Sequence, residues 1–250
     1  MVSSENRLRR WLIVSLVANG VLVALGFAAL VYKLGLFSER DKAQGDQVRF
    51  SETRLYRSLV STARAMPPHP GAVVFIGDSM IDYAPLTELF GPDALNRGIA
   101  GDRLEEIARR IDEIGRHRPA TVVLWAGIND LAAGRNCAQT SAAIAALARS
   151  LSSGPDASRV IVVPPAPVRP EESRHPAGIN DQIRCTCTLL SKELKGTSVV
   201  VVDPAQVLAD PSGQLRAEYT YDGVHLNGQG YLAWGRLISP LLGQPKAPEG

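Results

Sequence analysis

Five apolar runs, mostly valine and isoleucine, recur along this chain: AVVFIG from Ala72, a shorter ALNRGI from Ala94, TVVLWAG from Thr121, SRVIVVPP from Ser158 and SVVVVDP from Ser198. A strand with one wet face alternates polar and apolar residues. A strand that is apolar almost throughout must be covered on both faces, which calls for a parallel sheet between two layers of helices. Helical patterns fall where such a sheet needs them, over Asp102–His117, Gln139–Leu151, Gly178–Leu194 and Gly228–Leu242. Residues 71–243 are therefore expected to form one α/β domain, a three-layer α/β/α sandwich on a five-stranded parallel sheet with right-handed crossovers. Residues 244–250, GQPKAPEG from its glutamine on, are expected to be a flexible C-terminus.

Ahead of that domain the chain changes character. Trp11 to Tyr32, WLIVSLVANGVLVALGFAALVY, carries no charged residue, and about 20 such residues cross a bilayer as a helix. A cleavable signal peptide fits less well, because its apolar core is usually roughly 7–15 residues long and ends at a small-residue cleavage site. Residues 11–32 are read as an N-terminal transmembrane helix that tethers the chain to a membrane. Arg7, Arg9 and Arg10 crowd its amino side, which predicts a cytoplasmic basic tail at 1–10 and an extracytoplasmic domain. Residues 33–70 read as a juxtamembrane linker, SERDKAQGDQ, followed by an amphipathic helix within Val48–Ala65 that MPPHPG terminates.

The formal net charge of +2 is concentrated in that tail, and the rest of the chain is balanced. No general electrostatic attraction to nucleic acid is expected. The three cysteines, Cys137, Cys185 and Cys187, lack the spacing of a structural zinc site. They are compatible with one disulfide from Cys137 to either member of the Cys-x-Cys pair, or with three small semi-buried thiols. Neither a metal nor a cofactor is implied. The oligomeric state is not legible.

In a parallel sheet, functional groups collect where strands deliver their carboxyl ends. Asp78 and Ser79 follow the first run, Asn96 to Gly98 end the second, and Gly127 to Asp130 follow the third. Near the far end of the domain YDGVHLNGQGY sets Asp222 three residues before His225. A serine hydroxyl needs an imidazole to take its proton, and the imidazole needs a carboxylate to fix its tautomer. Ser79, His225 and Asp222 can supply those three parts. Donors for an oxyanion are available from the backbone N–H of Ser79, the backbone N–H of Gly98 and the side-chain amide of Asn129.

The four blocks, GDS at Gly77–Ser79, the glycine of NRGIAG at Gly98, GIND at Gly127–Asp130 and DGVH at Asp222–His225, resemble in order and spacing those of the SGNH/GDSL hydrolase superfamily. The resemblance spans Gly77 to His225. It implies a flavodoxin-like fold, hydrolysis of carboxylic esters and the roles given above, with no substrate attached. The first block departs by reading GDSM instead of GDSL. Short O-acyl groups on carbohydrate, or a lysophospholipid, are the ester substrates expected for a tethered outward domain.

Other residues have blander readings. Asp78 is expected to cap or brace, Asp130 to be structural, Gly101 and Gly127 to mark turns, and Asp203 to close a strand-end turn before Pro204. His69, His117 and His175 read as surface residues, and Trp125 as core. A metallophosphoesterase is disfavoured because its opening Asp-x-His and its histidine cluster are missing. A non-catalytic SGNH-fold binding protein and an O-acyltransferase using the same residues are the remaining alternatives.

Overall fold

The computed structural model describes residues 53–153, 158–173 and 175–242. The basic tail, the apolar stretch 11–32 and the C-terminal 244–250 lie outside the described residues. Among the described residues no helix is long and apolar enough to cross a membrane.

The first described helix, α1 (Arg54–Ala65), begins where the Thr53 hydroxyl accepts the Tyr56 N–H and ends at Met66, whose backbone is extended ahead of two prolines. Five strands follow in the sheet: β1 (Val73–Gly77), β2 (Ala94–Gly98), β3 (Thr121–Trp125), β4 (Arg159–Val163) and β5 (Val200–Val201). All neighbours pair in parallel, as the apolar runs require, and their order β2-β1-β3-β4-β5 is the flavodoxin-like one that the resemblance implies. Only two residues of SVVVVDP pair as β5. Gly77 is level with Gly98 on one side and Trp125 on the other. The chain therefore leaves β1, β2 and β3 along one common edge.

The helices are α2 (Ser79–Asp82), α3 (Leu86–Phe90), α4 (Leu104–Ala108), α5 (Ile111–Gly115), α6 (Ile128–Ala132), α7 (Cys137–Leu151), α8 (Ile179–Glu193), α9 (Ala205–Leu208) and α10 (Gly228–Ile238). Side chains alternate across a strand, and that period sorts the apolar runs into two cores. Val74, Ile76, Val122, Leu124, Val160 and Val162 face one way, onto residues of α4, α5, α7 and α8. Phe75, Val123, Trp125, Ile161 and Val163 face the other, onto residues of α2, α3, α9 and α10. Trp125 is core, as expected, and stacks on Trp234 of α10 with ring centroids 4.9 Å apart.

One expected helix is broken. Asp102–His117 reads as continuous, but the chain forms α4 and α5 with Arg110 between them at φ −121° and ψ 12°. The Arg110 side chain is buried and turned onto the sheet edge. There its Nη1 donates to Arg97 O at 2.7 Å and its Nη2 to Gly77 O at 3.1 Å. Satisfying a buried guanidinium outweighs one turn of helix.

Of the three cysteine arrangements left open, the structure has a disulfide between Cys137 at the start of α7 and Cys185 in α8, with Cα atoms 5.7 Å apart. Cys187 is free. Burial, with the neighbouring Asp203 carboxylate, pushes its thiol up to about 12, so it is a poor nucleophile. Closing so long a loop constrains the unfolded chain. Cys185→Ser is expected to lower stability by about 2–4 kcal/mol, measured as a fall in denaturation midpoint. Reductant should produce the same fall in the parent and none in the variant.

Candidate active site

The nucleophile candidate is set by the turn at the end of β1. Asp78 leaves the strand in extended backbone and caps α2, its Oδ1 accepting the Met80 N–H at 3.0 Å. Ser79 thereby becomes the first residue of α2, with its own N–H at the unpaired start of the helix. The Tyr231 hydroxyl, from α10, donates to Met80 O at 3.0 Å and holds the turn from above.

His225 arrives from the other end of the domain. Its Nε2 is 2.9 Å from Ser79 Oγ, and its Nδ1 is 2.6 Å from Asp222 Oδ2. The loop is built to present this pair. Asp222 Oδ1 accepts the N–H groups of Val224 and His225 at 2.9 and 2.8 Å, while the Thr220 hydroxyl donates to His225 O at 2.7 Å. Burial works to raise the Asp222 carboxyl. The His225 ring and the two backbone N–H groups outweigh it and hold the group below the usual carboxylate range. An ionised carboxylate on Nδ1 leaves Nε2 free to accept a proton from the serine.

Among the described residues no hydrogen bond uses the Ser79 N–H. Asn129, in α6, spends one Nδ2 hydrogen on Asp102 O at 2.9 Å and keeps the second. Gly98 is a correction. Its N–H donates to Asn96 Oδ1 at 2.8 Å, so it is committed to its own strand end. A Cβ there would stand 2.2 Å from the Asp82 backbone nitrogen, so the glycine is needed for α2 to cross β2. Among the described residues the N–H of Gly101, three residues on at φ 84°, makes no hydrogen bond. Sequence spacing could not distinguish the two, because the difference lies in the rotamer of Asn96.

Around these groups runs a buried polar network. Arg110 Nε donates to Asp102 Oδ2 at 2.9 Å, and Arg97 pairs with Glu113 at 2.7 Å. Asp130 is structural, as expected, accepting the Leu104 N–H at 3.0 Å and pairing with Arg135 at 2.9 Å. Burial raises the Asp102 carboxyl to about 6 even though Arg110 pulls it down.

The other histidines divide. His69 is a surface residue, 3.2 Å from Asp93. His117 is buried instead of exposed, its Nδ1 accepting the His69 N–H at 3.0 Å. Burial, then the positive charge of Arg97, holds it below the usual histidine value. His175 is half-buried and lies within electrostatic reach of His225 and Asp222. Asp203 closes its turn by accepting the Ala205 N–H at 2.9 Å. Among the described residues no group of histidine, cysteine and carboxylate side chains is arranged to hold a metal ion.

A parallel sheet in this order, with a Ser-His-Asp chain of hydrogen bonds at the carboxyl ends of its strands, defines a hydrolase-type α/β site. The chain matches the GDSL-like Lipase/Acylhydrolase family over residues 75–233, more than half of its length, and it belongs to that family. It is a carboxylic ester hydrolase. No curated protein matches it.

Solved structures share the fold. A Streptococcus pneumonia protein assigned as a platelet activating factor superposes with a TM-score of 0.63 at 24% identity, over 87% of this chain and 99% of that one. A GDSL-like lipase from Bacteroides thetaiotaomicron gives 0.65 at 22%, over 75% and 96%. An acetyl-xylooligosaccharide esterase from Geobacillus gives 0.57 at 18%, over 72% and 97%.

Asp78 offers a test of the site's electrostatics. Burial raises its carboxyl from an ordinary 3.8 to about 7, and its Oδ2 is buried without a partner. The folded state therefore binds the proton more tightly than the unfolded one. The stability this group contributes is complete below pH 3.8 and is lost as pH rises through about 7. Asp78→Asn keeps an oxygen for the Met80 N–H. Its denaturation midpoint should rise relative to the parent between about pH 4 and about pH 8; parallel pH profiles for the two proteins would contradict the assignment.

Proposed function

We propose that this protein is a membrane-tethered, extracytoplasmic serine esterase that removes short O-acyl groups through an acyl-enzyme on Ser79. The observation that carries the mechanism is the continuous relay from Asp222 through His225 to Ser79 Oγ, with contacts of 2.6 and 2.9 Å. Ser79 Oγ attacks the ester carbonyl carbon as its proton passes to His225 Nε2. The oxyanion that forms is held by the N–H groups of Ser79 and Gly101 and by the free Nδ2 hydrogen of Asn129. The tetrahedral adduct collapses as His225 returns the proton to the departing alcohol oxygen, leaving the acyl ester on Ser79. Water, deprotonated by His225, then attacks that ester and releases the acid and the serine.

Two features support the location. The uncharged run at 11–32 is long enough for an anchor with the basic flank inside, and the Cys137–Cys185 disulfide suits an oxidising compartment. An acetyl-xylooligosaccharide esterase shares this fold, and O-acetyl carbohydrate is the substrate class proposed for the site.

The mechanism is tested with a fluorophosphonate, which phosphonylates an activated serine. The adduct is expected on the Ser79 peptide of the parent and is expected to be absent from His225→Ala. A folded parent that stays unlabelled overturns the reading. Asn129→Ala should lower kcat for ester hydrolysis by about 10²–10³, and an undiminished kcat removes Asn129 from the oxyanion site.

A further inference from the structure

Two tyrosines stand beside the catalytic histidine with more than half of their surface in water: Tyr83 at 51% exposed and Tyr221 at 65%. The ring of Tyr83 is 5.2 Å from the His225 ring, tilted by 57°. That of Tyr221 is 6.0 Å away and close to parallel, at 18°. Tyr83 ends α2, its N–H bonded to Ser79 O at 3.1 Å, and Tyr221 directly precedes Asp222. Each ring is thus fixed to one half of the relay, and the two halves come from opposite ends of the domain. Among the described residues the other large apolar side chains left exposed are Leu55 and Leu59 of α1, Met66 just after it and Leu232 of α10.

An exposed tyrosine ring contributes little to folding, since its apolar faces remain in water. Such rings are the side chains that gain most when a ligand covers them, being rigid, broad and polar only at the tip. What they would cover follows from the proton path. His225 hands its proton to the departing alcohol, so groups that abut His225 flank the alcohol half of the ester and not the acyl half.

Resting on the esterase reading, we propose that Tyr83 and Tyr221 form the subsite for the leaving alcohol and that this alcohol is a sugar ring within an acylated oligosaccharide. A pyranose presents flat patches of C–H that pack on an aromatic face while its hydroxyls stay in water. An open pair of half-exposed rings suits that shape and leaves room for the rest of an oligomer. A quaternary ammonium alcohol needs its cation enclosed by aromatic faces, and rings this exposed do not enclose one.

The test compares three esters on the full chain: acetylated xylo-oligosaccharide, ethyl acetate, whose alcohol has no ring, and acetylcholine. Acid release is followed by titration. Tyr83→Ala and Tyr221→Ala are each expected to raise KM for the oligosaccharide by about tenfold, with kcat little changed. The kcat/KM for ethyl acetate should stay within about twofold. Tyr83→Phe and Tyr221→Phe should retain the parent's KM, because the ring face is what acts. Equal losses on oligosaccharide and ethyl acetate would make the tyrosines supports for His225 and overturn the proposal. Unchanged kinetics on every ester, or a loss confined to acetylcholine, would also overturn it. Ser79→Ala separates the two levels: if it hydrolyses ethyl acetate as fast as the parent, the esterase mechanism itself fails.

Discussion

One buried guanidinium ties together the strand ends on which the site is built. Arg110 donates to Gly77 O at the end of β1, to Arg97 O near the end of β2, and to the Asp102 carboxylate. The carbonyl of Asp102 in turn accepts from Asn129, after β3. The nucleophile's strand, the loop carrying Gly101 and the residue that offers a side-chain amide are thus fixed relative to a single cation. Leaving such a buried pair half-made costs about 3–5 kcal/mol, so the ends of these three strands cannot drift independently. A preorganised oxyanion site requires that rigidity, since donors that must move into position lose much of their advantage.

The relay itself depends on a second closure. His225 and Asp222 belong to a loop after the last strand, and the hydrogen bond to Ser79 joins residues 146 apart in sequence. Local bonds make the loop rigid before it meets its partner: Asp222 braces its own turn and Thr220 clamps His225 O. Arg169, from the loop after β4, adds a backbone bond to Gly223 O at 2.8 Å. The disulfide acts on the same side of the molecule. It fastens α8, whose Ile179 and Ile183 pack with Val168, Ile128 and Leu131 and bring Val224 against them.

What was legible in the sequence follows from this division. The strands could be read because burial on both faces leaves an unbroken apolar signature. Ser79, Asp222 and His225 could be read because each sits in a short local motif whose chemistry requires its neighbours. The break in Asp102–His117 could not, because Arg110 leaves the helix for carbonyls at the ends of other strands. The place of Gly101 could not be read either, because spacing shows which glycines lie near a strand end and not which N–H is already spent on Asn96. His117 looked exposed at the end of a charged helix, yet the backbone of His69 covers it. Tyr83 and Tyr221 gave no signal in sequence, since only the folded chain brings both rings to one imidazole.

The central claim is that hydrolysis passes through an acyl ester on Ser79, made possible by His225. It is tested most directly by acid-quenching the enzyme during turnover of an acetyl ester and reading the mass of the Ser79 peptide. The account predicts an acetylated Ser79 during turnover that disappears once substrate is exhausted. Steady turnover with Ser79 unmodified at every quench time, under conditions where release of the acyl group limits the rate, would contradict it.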